Sequence, residues 1–378
     1  MIRGTVYPAC YFLDAFWKMY CRLFQRSKAI GRPPRKLLLV HFSGIGNFVM
    51  FTPVINELKD RYPDADISLL LPANGCADVI KGHEHIKEII VFDFFRHKWR
   101  KEFLGLLMQV RGKKYDTVIV SPMRFAGALI AFFSGAGNRV GHRYQFGPLK
   151  NSSFLYTHPV DLDDIREHEV EQNLNLLKPF NITASAVPRM IVHSDNGSGN
   201  VDFALSADKK RIGIHAGCGA DQTERRWPKE CFIELAKKLE KTFDMDLVFF
   251  AGPCERELVS EIVDSVNGNS LLVTDKPLKE VIRIIDRCHY FVTTDSGLGH
   301  IANALGIPTL AIFGPANSNR TGPYGAGNVV VRKKLPCSPC YMSRGQEIEC
   351  DDIRCLRDLG VGEVLEGFRK LMAINANR

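Results

Sequence analysis

The sequence predicts an α/β protein with two doubly wound, Rossmann-like domains in tandem, and two observations carry that prediction. Short runs of Val, Ile and Leu alternate with segments of helical periodicity, the pattern of a parallel sheet covered on both faces. The alternation blurs between about Pro148 and Asp208 and then begins again. With 378 residues, 45% hydrophobic and 24% charged, the chain has the length for two domains and is neither disordered nor fibrous in composition.

In chain order, residues 1–35 form an arm and linker. From Tyr11 to Phe24 the apolar residues Phe12, Ala15, Phe16, Met19, Tyr20, Leu23 and Phe24 recur at helical spacing, with Asp14, Lys18 and Arg22 opposite, which predicts an amphipathic helix. Pro33 and Pro34 cannot continue it. The first domain, 36–195, opens with a strand from Lys36 to Phe42 and a helix from about Asn47 to Arg61; strands at Ile67 to Leu71, Glu88 to Phe92 and Thr117 to Ser121 follow, each trailed by a helix. The polar stretch Asn196-Gly-Ser-Gly-Asn200 marks a boundary loop. The second domain, 196–350, carries strands at Arg211 to His215, Asp246 to Phe250, Leu271 to Thr274, Tyr290 to Thr293 and Pro308 to Phe313, with helices starting at Pro228, Glu255 and Leu278. Residues 351–378 hold a last helix, Gly362 to Met372, for which a return over the first domain is one reading. Two such domains are expected to set the carboxyl ends of their strands across one cleft, where open α/β sheets take ligands.

The formal charge of +8 is unevenly placed. Residues 1–36 hold eight basic residues against Asp14 alone, so the rest of the chain is nearly neutral. That excludes a globally basic nucleic-acid binder, which needs a cationic stripe on the folded body. It predicts instead an arm lying on an anionic membrane surface through residues 1–30, at about 1 kcal/mol per basic residue near the surface. A helix packed on the protein's own body is the alternative. No run of 18 apolar residues predicts a membrane span, the early apolar run lacks a small-residue cleavage site, and eleven scattered Cys fit a reducing cytoplasm.

Three loops at strand ends have the composition to hold a phosphorylated ligand. In His41-Phe-Ser-Gly-Ile-Gly-Asn47, Gly44 and Gly46 let the backbone approach a substrate at a helix start. The loop fails as a dinucleotide fingerprint, because Val49 replaces the third Gly, and this disfavours a nicotinamide oxidoreductase. The second loop, Gly217 to Pro228, sets Arg225 and Arg226 just before a helix, where they would reach a diphosphate as charge-assisted donors. In the third, a strand ends in Asp295-Ser296-Gly297, and His300 falls in the first turn of the helix that follows, beside the backbone N–H groups that favour an anion.

With these residues in view, the chain from Lys36 onward resembles glycosyltransferase family 9, the ADP-heptose:lipopolysaccharide heptosyltransferases and their relatives. The resemblance rests on Ser43-Gly-Ile-Gly-Asn47 with Phe51-Thr-Pro53, the set Arg225 to Pro228, Gly252-Pro-Cys-Glu255, and Asp295-Ser-Gly-Leu-Gly-His300 with Phe313-Gly-Pro315. It implies a GT-B fold and an inverting, metal-independent transfer of a sugar, typically heptose from ADP-heptose, to a lipid-linked core glycan at the cytoplasmic face of the inner membrane. No cofactor and no metal ligand are expected beyond the nucleotide sugar. By matching motif, Arg225 would contact the diphosphate, Glu255 the ribose, Asp295 the sugar, and Ser296, Gly297 and His300 the phosphates. Gly314 and Pro315 would lie near the donor, and Asn47 at the position of the catalytic base. The Asp-x-Asp sequences Asp64-Ala-Asp66 and Asp244-Met-Asp246 lie at strand entrances and are not expected to bind metal.

Two departures stand out. The family's Gly-Asp, whose carboxylate is the general base, reads Gly46-Asn47, and an amide cannot take a proton at useful pH. Another carboxylate, a His or an acceptor phosphate then takes it, or Asn47 only orients the acceptor, or the protein binds a nucleotide sugar without catalysis. The family's Gly-Pro-Thr reads Gly314-Pro315-Ala316, which removes a hydroxyl that Asn317 would replace and leaves a different donor sugar open. Near the C-terminus, Cys337-Ser-Pro-Cys340 has a zinc-like spacing, but Cys350 and Cys355 follow at a spacing that does not match it; reduced thiols or one labile disulfide are the expected state.

Overall fold

The computed structural model describes residues 29–93, 99–121, 125–143, 152–162, 164, 166–194, 208–219, 222–266, 270–340, 350 and 352–376. The predicted arm helix and the Asn196 to Asn200 loop lie outside the described residues. Among the described residues no helix is long and apolar enough to cross a membrane. The chain divides into two compact units, one of residues 1–165 and 170–190, the other of residues 166–169 and 191–378.

In the first unit, β1 (Lys36–Val40), β2 (Asp66–Pro72), β3 (Glu88–Phe92), β4 (Thr117–Val120), β5 (Asn138–Arg143) and β6 (His158–Asp161) form a parallel sheet in the order β3-β2-β1-β4-β5-β6. In the second, β7 (Arg211–His215), β8 (Asp246–Phe250), β9 (Ser270–Val273), β10 (Tyr290–Thr294), β11 (Thr309–Phe313) and β12 (Val329–Arg332) are ordered β12-β11-β10-β7-β8-β9. Read from its other edge, the second order is the first repeated. Each sheet is a Rossmann-type six-stranded sheet whose strand order reverses beside its first strand, between β1 and β4 and between β7 and β10. Continuous apolar strands follow from this placement: Leu37 to Val40 and Leu247 to Phe250 are covered on both faces and almost wholly buried.

Three strands exceed the sequence expectation. β5 lies just before the stretch where the alternation blurs and β6 within it, and β12 follows Phe313, where the set was expected to close. The helix predicted from Asn47 to Arg61 is two helices, Ile45–Phe51 and Pro53–Arg61. Pro53 has no N–H to give to the Val49 carbonyl, and the Thr52 hydroxyl donates to it instead at 2.7 Å. The helix expected from Pro228 starts at Lys229, with Pro228 at its N-cap.

The last helix, Val361–Ile374, belongs to the second unit. It lies on β11, β12 and the helix Lys229–Phe243, and its Phe368 is fully buried against the rings of Phe243 and Tyr290. The reason is in its sequence: Val361, Val364, Leu365, Phe368 and Leu371 make one apolar stripe matched to the open face of the second sheet. Gly367 lets the helix sit close, since a Cβ there would come 2.4 Å from Val331.

Candidate functional site

The second unit gathers two of the three loops at its switch point. β7 runs into Gly217 to Arg226, β10 runs into Asp295 to His300, and the two strands are neighbours with Thr293 opposite His215. Their side chains meet. Arg225 Nη1 donates to Asp295 Oδ2 at 2.8 Å, with both side chains about nine-tenths buried. The residues expected to bind diphosphate and sugar are therefore bonded to each other, a charged pair that presents one face rather than two separate contacts.

Trp227 explains how the arginine loop is held. Its ring is 2% exposed and packs on Phe232, and its Nε1–H donates to the Leu359 carbonyl at 3.0 Å. The order Arg225-Arg226-Trp227-Pro228 thus anchors the loop by its third residue and caps the helix start with its fourth, leaving the arginines at the strand ends. Arg226 is partly exposed and donates to the Gly219 carbonyl at 3.4 Å.

Ser296 caps the helix Gly297–Ala304, its Oγ accepting from Gly299 N–H. His300 lies one turn in, 7% exposed, and burial, reinforced by the nearby His168, pushes its imidazole down to about 3. At neutral pH it is uncharged.

Glu255 is 4% exposed and sits under the same strand ends. Burial works to raise its carboxyl, but the His215 ring that bonds to it and the N–H groups of Gly219 and Gly252 hold it far below the ordinary carboxylate range. Two glycines make this possible. Gly219 has φ +97°, a left-handed conformation that turns its N–H toward Glu255 Oε1 at 2.8 Å, and a Cβ on Gly217 would come 2.0 Å from that same oxygen. Thr294 Oγ1 donates to the Gly217 carbonyl and closes the loop against β10.

Sequence reasoning passed over His215. The ring bridges Glu255 and Ser296, and the only signal was a polar residue ending an otherwise apolar strand, Arg-Ile-Gly-Ile-His215.

The other expected residues have clear places. Gly44 is the N-cap of the helix Ile45–Phe51 in the first unit, at the switch point of that sheet, and Gly46 and Asn47 lie in the first turn, partly exposed. Beneath them the buried His41 ring stacks on Phe51 and leans on Phe48. Gly314 meets Leu356, its carbonyl accepts from Ser338 Oγ at 2.8 Å, and Pro315 O accepts from Cys340 N–H, so this corner fastens the C-terminal segment. Asn317, 7% exposed, spends its side-chain oxygen on the N–H of Asn319. Asp66 and Asp246 are the first residues of β2 and β8, at the sheet ends opposite the ligand loops.

Among the described residues no group of three or more His, Cys, Asp or Glu is arranged to hold a metal ion. Cys337, Cys340 and Cys350 are exposed and Cys355 is buried, its thiol pushed up to about 11 by burial and by the neighbouring Cys340, Cys350 and Cys337.

Two tandem Rossmann-type units, each with a ligand-sized loop at its switch point, make a GT-B fold. The sequence model of glycosyltransferase family 9 (heptosyltransferase) matches residues 104–349, and the chain belongs to that family and is a glycosyltransferase. It is 27% identical over 312 residues to lipopolysaccharide heptosyltransferase 2 of Salmonella typhimurium, covering 79% of this chain and 88% of that one. The solved structure of E. coli ADP-heptose lps heptosyltransferase II superimposes with a TM-score of 0.73 at 25% identity, over 90% of this chain and 99% of that one. An E. coli heptosyltransferase solved with ADP-2-deoxy-2-fluoro heptose shares the fold at 18% identity and a TM-score of 0.70, over 89% of this chain and 99% of that one.

Proposed function

We propose that the chain is an inverting, metal-independent transferase that moves a heptose from ADP-heptose to the inner core of lipopolysaccharide or a related envelope glycan. The observation that supports this reading is the Arg225–Asp295 pair beside the Ser296-capped helix, at the switch point of the second sheet. A departing diphosphate gathers negative charge, and a helix N-terminus with two arginines offsets it without a divalent cation. The guanidinium of Arg225 serves Asp295 and the diphosphate together through different donors of its fork. Asp295 orients the sugar, Glu255 accepts from the ribose through Oε1, and His300 donates an N–H to phosphate. That the similar proteins include a lipopolysaccharide heptosyltransferase and an ADP-heptose heptosyltransferase supports the choice of donor.

The first unit takes the acceptor. Asn47 orients its hydroxyl, and the proton passes to a carboxylate or imidazole of that unit or to an acceptor phosphate. Incubating the protein with ADP-heptose and a panel of other nucleotide sugars, with a lipid A and core acceptor, tests the assignment. Turnover is expected with ADP-heptose, in the presence of chelator, with an inverted anomeric centre in the product by NMR. Arg225→Ala is expected to lower kcat/KM by about 10²-fold or more, and Asn47→Asp to raise kcat by roughly tenfold or more. Turnover of another donor, with none of ADP-heptose, would overturn the heptose assignment.

The basic arm holds the enzyme at the cytoplasmic face of the inner membrane. Deleting residues 1–35 is expected to release the protein from anionic vesicles while leaving ADP binding intact. A truncated chain that still sediments with them would remove the arm from this role.

A further inference from the structure

We infer that His215 is a positioning residue of the donor site, tying the group that faces the ribose to the group that faces the phosphates. The inference rests on the donor reading proposed above for Glu255 and Ser296. His215 ends β7 with 5% exposure, and each ring nitrogen is engaged. Its Nε2 lies 3.0 Å from Glu255 Oε2 and its Nδ1 lies 2.8 Å from Ser296 Oγ. The carboxylate has no proton to give, so the ring donates through Nε2.

The bonds continue past both ends of the ring. At one end Glu255 also accepts from Gly219 N–H at 2.8 Å and Gly252 N–H at 3.1 Å, which places the loops after β7 and β8. At the other, Ser296 Oγ lies 2.8 Å from Thr293 Oγ1 and accepts from Gly299 N–H, which places the start of the helix Gly297–Ala304. One ring thus sets the spacing between three strand ends. A nucleoside diphosphate demands that spacing, because its ribose hydroxyls and its phosphates are joined by a short covalent link. Prior alignment of both sites removes part of the ordering cost of binding.

Two substitutions cut one bond each. In His215→Gln the terminal amide reaches the place of Nε2, keeping Glu255 and losing Ser296. In His215→Asn the shorter amide stands at the place of Nδ1, keeping Ser296 and losing Glu255. Calorimetry on the full chain with ADP, and with adenosine, which carries the ribose but no diphosphate, reads the two ends separately. His215→Gln is expected to weaken ADP by roughly tenfold and leave adenosine unchanged, and His215→Asn to weaken both by roughly tenfold, the size of one bond to a charged or anion-binding group. Arg225→Ala is the control for the site and should weaken ADP alone.

Wild-type affinity for ADP in both His215 variants, with Arg225→Ala weakened, overturns the inference. Equal losses for ADP and adenosine in both variants, in step with a fall in Tm, make His215 a purely structural residue and overturn it too. A wild-type protein that takes no ADP, or an Arg225→Ala variant that takes it unchanged, overturns the donor reading and the inference with it.

Discussion

At the scale of single residues, the loops proposed to hold the donor are made of side chains that fix one another, and the glycines are where the tolerance is smallest. Gly217 has no room for a methyl group, because Glu255 fills the space a Cβ would need. Gly217→Ala is expected to displace that carboxylate, break its bonds to Gly219, Gly252 and His215, and weaken ADP by about tenfold or more in a titration. Gly219→Ala acts by a different cause, since φ +97° is strained for any residue with a Cβ. Asp295, Ser296 and His300 can be singled out in the sequence because they follow a strand end and stand among glycines, and Arg225 and Glu255 because they fall in motifs of the family; the roles given to them remain proposals. That Arg225 and Asp295 bond to each other was not legible, nor was His215, because both depend on β7 and β10 being neighbours, which no local pattern encodes.

At the scale of elements, strands written as apolar runs announced themselves, and β5 and β6 did not. β1, β8 and β11 are runs of apolar residues, whereas β5 reads Asn-Arg-Val-Gly-His-Arg and β6 carries Pro159 at the sheet edge, where a missing N–H is tolerated. β5 is closely packed: the Tyr156 ring lies over Gly141, where a Cβ would stand 2.3 Å from it. The last helix shows a different limit. Its apolar stripe was plain, but a stripe says that a face is buried and not which sheet buries it. Phe368→Ala, which empties the space between Phe243 and Tyr290, is expected to destabilise the second unit by about 3–5 kcal/mol. Denaturant unfolding followed through Trp227, which is buried in that same core, would measure it.

For the whole molecule, buried imidazoles set a pH limit on stability. His300 is held down to about 3 by burial and then by His168, and His142, in the first unit, is lowered to about 4 by burial. Both stay neutral in the fold and take their protons only on unfolding, so between the ordinary imidazole value of about 6.5 and those depressed values the unfolded chain binds more protons. Their contribution is complete above about pH 6.5 and is lost as pH falls toward 4. Glu255, also depressed, adds a further loss at lower pH still. Tm is expected to be level above pH 7 and to fall steadily from pH 6.5 to 4.5, and His142→Asn should flatten part of that slope; a Tm independent of pH over that range would contradict the assignment.

The path of the chain between the units has a consequence for how the protein can be divided. Residues 166–169 belong to the second unit, although the chain goes back to the first for residues 170–190 before it leaves for good. The fastening is specific: Glu169 takes Arg320 Nη2 at 2.8 Å, and the His168 ring bonds to the Gly322 carbonyl at 3.0 Å and packs on Tyr324. No single peptide bond therefore separates the two halves cleanly. A gene cut at the evident boundary near residue 195 would give a first fragment carrying a four-residue hook of the second, and a second fragment with the socket for that hook left open. The halves of this enzyme are two in architecture and interlocked in sequence.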